Sequence, residues 1–248
     1  LEASVNALDG GVVVESDGLT AAIKGLVSTA NEALNIRISE VLLAVPPIGM
    51  NFTTERSMTN PISLDNHVAQ IDISNCISQL KKSKVNDNLK IIDVVPFQYS
   101  LDNNDLLSEA PIGRKSTTLT VCATIYSMDR PLVEGYTRAV ESAGLHIKHV
   151  VAAPFATALY LTDCEQLTST GSSYYLLNMG SDITTLNLIT NKTIVTQSKC
   201  FRFGSDKITE KLQERFNITF KEAKMLKEKY GAINYFDWGL GFSVRYIL

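Results

Sequence analysis

The sequence predicts an α/β fold interrupted by a small insertion, and two observations carry that prediction. Short continuous apolar runs, residues 41–45 above all, have the two-sided hydrophobicity of strands buried inside a layered sheet. They alternate with stretches whose apolar residues recur every three to four positions, as in helices packed on such a sheet. The alternation stops at Pro46-Pro47 and resumes at Thr118, so residues 48–122 read as the insertion. A chain of 248 residues can withdraw roughly 75% of its unfolded surface from water, enough for one sizeable core or two smaller ones.

Residues 12–14 form a strand candidate. Leu19, Ala22, Ile23, Leu26, Val27, Ala30 and Leu34 make one helical stripe opened by Ser16 and Asp17. The apolar strand at 41–45 follows. Residues 51–59 are polar and read as extended. Ser63 is placed to cap a helix whose inner face carries Ala69, Ile73, Cys76, Ile77 and Leu80. Lys81, Lys82 and Lys84 fall in its last turn, where cations complement the helix dipole, so the cluster reads as a solvated helix end. An apolar strand at 89–95, a loop rich in Asn and Asp, and Pro111-Ile112-Gly113 complete the insertion.

Beyond Thr118, residues Leu119, Val121, Ala123 and Ile125 share one face of a strand. Asp129 and Pro131 open a helix bearing Leu132, Tyr136, Ala139, Val140 and Ala143, closed by Gly144 in a left-handed cap. A strand at 150–152 and a helix at 153–161 follow, then a polar break at 168–173. Strands at 174–177, 183–189 and 193–197 come next, the last two joined by a turn at Thr190-Asn191-Lys192. One closing helix bears Ile208, Leu212 and Phe216. The other opens with the capping box Thr219-x-x-Glu222.

Composition narrows the function. A net charge of -3 supplies no basic field for nucleic acid or anionic lipid. No apolar run approaches the ~20 residues that cross a bilayer, and residues 1–10 lack the regions of a signal peptide. Cys76, Cys122, Cys164 and Cys200 are widely spaced, which argues against a zinc site or disulfide framework and for reduced thiols in a cytoplasmic chain. No side-chain pattern points to a metal site or to catalytic residues.

The chemically suggestive element is the run from Leu176 to Thr185, in which a buried strand enters Gly180-Ser181-Asp182 and returns as a second strand. Successive backbone N–H groups in such a turn can cradle phosphate, with hydroxyls from Ser181 and Thr184. A plain hairpin with Gly180 at positive φ is the alternative reading.

That turn resembles the second phosphate loop of the actin-like ATPases, an acidic residue followed by Gly-Gly-Gly-Thr. Residues 94–102, Val-Val-Pro-Phe-Gln-Tyr-Ser-Leu-Asp, with Ala110-Pro111-Ile112-Gly113, look like the "V-I-P-x-x-Y-x-x-D … N-P-x-G" segment of the FtsA cell-division family. Residues 17–35 with the strand at 41–45 are similar to that family's first-domain helix and strand. Residues 139–145 look like its "V-E-x-A-G-L" helix end. Together these cover residues 10–231.

The resemblance implies an actin-like, ribonuclease-H-like pair of lobes with a small α+β subdomain, 1C, inserted in the first. Residues 1–47 and 123–171 would form lobe 1A, 48–122 subdomain 1C, and 172–231 part of an incomplete second lobe, 2A; residues 232–248, with Trp238 and Tyr246, remain unassigned. It also implies a protein that binds ATP with Mg2+ between its lobes and self-assembles into filaments at the inner face of the cell membrane. There it anchors the FtsZ ring and recruits later divisome membrane proteins. Gly180, Ser181, Asp182 and Thr184 would contact the phosphates, Gly204 would lie near the nucleotide, and Lys227 would face ribose or adenine. Glu55 and Arg56 are the expected polar contacts of the polymer or partner surface.

The sequence also departs from the family. The first phosphate loop, with its metal-organising Asp, is expected ahead of Leu1. Asn178 stands where an acid is common, and Lys224 where relatives often carry Glu. The FtsZ-binding tail and membrane-binding helix are not recognisable, so the chain reads as truncated and at most a weak ATPase. A PilM-like pilus-assembly adaptor and a superfamily phosphotransferase are the alternatives.

Overall fold

The computed structural model describes residues 7–83, 87–102, 104, 106–163 and 173–230. Lys84, Cys164, most of the polar break at 168–173 and the tail at 232–248 lie outside the described residues. The chain divides into two compact units. One takes Leu1–Leu176 with Leu186–Lys199, the other Leu177–Thr185 with Cys200–Leu248.

In the first unit, β1 (Leu8–Asp9) and β2 (Val12–Val13) pair antiparallel and lead into α1 (Ser16–Leu34). Asn35 ends α1 at φ 51°, a left-handed conformation that asparagine tolerates better than most residues. Next come β3 (Glu40–Val45), β4 (Asn51–Thr59), α2 (Gln70–Ser83), β5 (Leu89–Leu101) and β6 (Leu106–Leu107). They are followed by β7 (Leu119–Asp129), α3 (Arg130–Ser142), β8 (His146–Ala152) and α4 (Ala153–Asp163). Gly144, at φ 85°, provides the left-handed exit from α3.

β3 and β8 pair in parallel. The larger sheet is antiparallel in the order β4-β7-β5-β6. Its centre, β7, is buried on both faces. Leu119, Val121, Ala123 and Ile125 pack with Ile73, Cys76 and Leu80 of α2, while Tyr126 and Met128 join a second core with Val45, Val133 and Ala152.

Residues 51–59, read as polar and extended, do form a strand, and every position of β4 pairs with β7 in unbroken register. Several expectations need correction. The strand expected at 89–95 runs on to Leu101. It passes Pro96, which has no N–H to give the ladder, by a register shift between Pro96 and Gln98. Ser63 does not cap α2; its hydroxyl donates to Asp65. The buried Asp72 carboxylate instead accepts the amides of Ile62 at 3.0 Å and Ala69 at 2.8 Å, which delays the helix to Gln70. The strands flanking the insertion, β3 and β7, belong to different sheets. The expected boundary at 122/123 falls inside the continuous strand β7.

Three further strands, β9 (Tyr174–Met179), β10 (Thr184–Thr190) and β11 (Ile194–Phe201), form a sheet in the order β11-β10-β9. Asn191 and Lys192 both take positive φ in the β10–β11 turn, the geometry that suits the twist of a tight hairpin. The second unit adds α5 (Ser205–Phe216) and α6 (Phe220–Tyr230), which pack together. At the start of α6 the capping box forms as expected. The Glu222 carboxylate accepts the Thr219 amide at 2.8 Å, and the Thr219 hydroxyl accepts the Glu222 amide at 3.3 Å. No helix among the described residues is long and apolar enough to cross a membrane.

Candidate functional site

β9 ends at Met179, and the chain reverses through Gly180, Ser181 and Asp182 into β10. The Gly180 amide donates to Ile183 O at 2.9 Å and closes the turn. The two carbonyls at its tip then meet the start of α5. Gly180 O accepts the Ser205 amide at 2.8 Å and Ser181 O accepts the Asp206 amide at 2.9 Å. The helix end, whose first amides have no partner within the helix, is therefore capped by main chain. Gly204, its N-cap residue, makes no side-chain cap bond.

This arrangement orients the turn. In a planar trans peptide the N–H points opposite to the C=O. With the Gly180 and Ser181 carbonyls aimed at α5, the Ser181 and Asp182 amides are aimed away from it. Gly180, Ser181 and Asp182 are all exposed, and the side of the turn opposite α5 is the one on which two successive N–H groups can form an anion-binding concavity. The first amides of α5 are committed to protein oxygens, Lys207 N–H donating to Gly204 O at 3.1 Å. The turn, not the helix end, is therefore the candidate site.

Gly204 makes the clamp possible. A Cβ there would lie 2.2 Å from Ser181 O and 2.6 Å from the Asp182 nitrogen. Its backbone is extended, at φ -143° and ψ -175°, so close approach and not conformation demands glycine. Gly180 has a similar reason: a Cβ would stand 3.1 Å from Ile183 O. The expectation of positive φ at Gly180 is corrected, since it is not among the positive-φ residues.

Thr184 is also corrected as a phosphate donor. It is buried, and its hydroxyl donates to Phe203 O at 2.5 Å, which holds the chain leading into Gly204. Lys227 Nζ donates to Ser205 O at 3.0 Å and lies 4.0 Å from Asp206 Oδ1. Glu210, hydrogen-bonded to Lys207 at 2.8 Å, holds that ammonium above its ordinary pKa, and the Asp182 carboxylate pulls the same way.

No protein-family model matches the chain. The cell division protein FtsA of Buchnera aphidicola subsp. Baizongia pistaciae is 24% identical over 226 residues, covering 90% of this chain and 52% of that protein. The FtsA of Enterococcus faecalis is 26% identical over 234 residues, covering 92% and 51%. The chain is similar to FtsA. It spans about half the length of these FtsA relatives. Among solved structures, a chain of the PilM-PilN type IV pilus biogenesis complex superposes with a TM-score of 0.59 at 18% identity, covering 93% of this chain and 61% of that one. The fold is the actin-like α/β fold.

Of the residues that the FtsA resemblance singled out, the structure brings Gly180, Ser181, Asp182, Thr184, Gly204 and Lys227 together within the second unit. Glu55 and Arg56 lie on β4 in the first unit, opposite Ala123 and Cys122 of β7. Sequence reasoning missed Phe203, Ser205 and Asp206. A signal was present: the tripeptide Gly-Ser-Asp occurs at 180–182 and again at 204–206, and the two copies clasp each other main chain to main chain.

Proposed function

We propose that the chain is the nucleotide-responsive part of an FtsA-type, actin-like assembly protein of the cell-division apparatus. In this reading the turn at 180–182 holds the phosphates of ATP, and the protein self-assembles on the inner face of the membrane. There it anchors the FtsZ ring and recruits later divisome proteins. The observation that carries the nucleotide part is the outward aim of the Ser181 and Asp182 amides. The similarity to FtsA over about nine-tenths of the chain supports the cellular role.

The residues fit a metal–phosphate ligand better than a bare anion. The Asp182 carboxylate would repel phosphate oxygens at the turn, and a divalent cation removes that repulsion. Among the described residues no group of three or more His, Cys, Asp or Glu could hold a metal by itself. Mg2+ would thus arrive with the phosphates, keeping several waters and neutralising their charge, with Asp182 the one acid inside the turn. Gly204 would lie behind the phosphates as part of the clamp. Asn178, exposed at the end of β9, places an amide where an acid would orient a hydrolytic water, which supports binding and assembly with weak hydrolysis at most.

The test uses the full-length protein with liposomes and FtsZ. Nucleotide-dependent co-sedimentation of FtsZ with lipid, and saturable binding of fluorescent ATP, are expected. Failure of both refutes the reading. The fold likeness to a chain of the PilM-PilN complex supports one competitor, a pilus-assembly adaptor. That reading gains if the protein captures the cytoplasmic peptide of a pilus membrane protein and ignores FtsZ.

A further inference from the structure

We propose that Lys227 is a positioning residue for the anion-binding turn and not a reader of the nucleotide's base or sugar, a role that rests on the nucleotide reading above. The Lys227 side chain is largely buried, at 18% exposure, and its ammonium donates to Ser205 O at 3.0 Å with the Asp206 carboxylate facing it at 4.0 Å. Those two residues are the pair whose amides grip the turn. Ser205 N–H holds Gly180 O and Asp206 N–H holds Ser181 O. One cation in the last turn of α6 therefore restrains both ends of the grip, pulling on the Ser205 carbonyl and facing the Asp206 carboxylate.

The clamp has little slack. At Gly204 the main chain already approaches so closely that a Cβ would meet Ser181 O at 2.2 Å. A shift of Ser205 or Asp206 must pass directly into the peptide planes of Gly180 and Ser181, and so into the aim of the Ser181 and Asp182 amides. To reach a base or ribose, Lys227 would have to give up a charge-assisted hydrogen bond, one of the stronger polar contacts a protein makes. The ligand class that Lys227 serves is the polyphosphate chain, with base identity unread at this position.

The experiment compares full-length wild type with Lys227→Met and Lys227→Arg. Amide hydrogen exchange is followed at Ser205 and Asp206, and fluorescence competition is measured with ATP, GTP and inorganic tripolyphosphate. For Lys227→Met, faster exchange at both amides is expected. All three ligands should weaken by one common factor of about ten, the scale of one hydrogen bond to a charged group. The ATP/GTP ratio should not change, and Lys227→Arg, which can still donate to Ser205 O, should restore exchange and affinity together. Unchanged exchange, or a loss confined to ATP, overturns the proposal. So does faster exchange with undiminished affinity for the three ligands. If wild type binds none of them, the nucleotide reading fails and takes this role with it, while the exchange data still report whether Lys227 braces the clamp.

Discussion

The Val195 amide donates to the Tyr126 hydroxyl oxygen at 3.0 Å, with both residues fully buried. The Tyr126 ring is met edge-on by Phe52 at 5.3 Å and Phe155 at 5.9 Å between centroids. Strands β4, β7 and β11 and helix α4 thus share one aromatic centre. Tyr126→Phe leaves the Val195 N–H buried without its acceptor and should cost about 1–3 kcal/mol. Tyr126→Ala also empties the ring site and should cost about 3–5 kcal/mol. Urea unfolding checks both, with a lower midpoint expected at an unchanged denaturant slope.

Tyr136 gives the fold an alkaline limit. Its hydroxyl donates to Gly11 O, and burial pushes its pKa up to about 12 from 10.0. The unfolded chain releases this proton near pH 10 while the folded chain keeps it to about 12. The contribution is therefore complete below pH 10 and is lost as pH rises through that window. Burial raises the Tyr126 phenol in the same sense. Unfolding midpoints measured from pH 9 to 12 should decline, and less steeply in Tyr136→Phe.

Gly204 and Gly180 should differ in a graded way. At Gly204 a methyl group meets backbone at 2.2 Å, whereas at Gly180 the nearest atom is at 3.1 Å. Gly204→Ala must separate the turn from α5 and should cost about 1–3 kcal/mol, as overpacking does, with loss of nucleotide binding. Gly180→Ala should be milder in both. Thermal melts with nucleotide titrations on the two variants decide the order. Equal behaviour would remove close approach as the reason for glycine.

Much of this was legible in the sequence because local periodicity and capping chemistry decide it. The α1 stripe, the Asp129–Pro131 opening of α3 and the Thr219–Glu222 box lie where their residues place them. What was not legible depends on partners distant in sequence. β4 reads as extended, but which strand it pairs with does not show: β7, sixty and more positions on, pairs with all of it. The role of Thr184 turns on Phe203, nineteen positions away, and that of Lys227 on Ser205. No window-based reading reaches such pairs, although the repeated Gly-Ser-Asp could have suggested one of them.

Asp102 ties the far end of the insertion. At φ 49°, its carboxylate accepts the Thr117 hydroxyl at 2.5 Å and the Thr117 and Thr118 amides at 2.9 Å each. These bonds, the Thr117 hydroxyl first, hold its pKa down to about 2 from 3.8. Its contribution is present above pH 3.8 and is lost as pH falls through about 2. A carboxyl NMR titration should place Asp102 among the most acidic groups. Asp102→Ala should speed amide exchange at Thr117 and Thr118 and flatten the acid limb of the stability profile. An ordinary titration near 4 would show that the bonds do not persist in solution.

Glu55 and Arg56 stand at the middle of β4, an edge of its sheet: β7 takes one side, and no described strand takes the other. An open edge nine residues long invites strand addition. Two-fold pairing of two β4 edges, with the axis normal to the sheet, sets residues of the same parity opposite each other. Registers centred on the strand then bring Glu55 against Glu55 or Arg56 against Arg56, and like charges directly opposed destabilise a pair. Symmetric self-pairing in these registers is thus resisted, so a contact through this edge would be heterologous, the kind that propagates a filament. Their faces differ as well, Arg56 being exposed and Glu55 half-buried. Deleting residues 48–122 would be a poor test, because it removes β4 and the first four residues of β7, and so strips the pairing from the strand that carries Tyr126. Reversing the charges, Glu55→Arg with Arg56→Glu in the full-length protein, should change unfolding stability by no more than about 1 kcal/mol. It should raise the critical concentration for filaments on lipid by about tenfold, if two polar contacts of that size are lost per interface. Sedimentation with filament imaging reads the first effect, and a division-rescue assay its consequence. Wild-type polymers and full rescue in a folded variant would exclude the centre of β4 from the assembly surface.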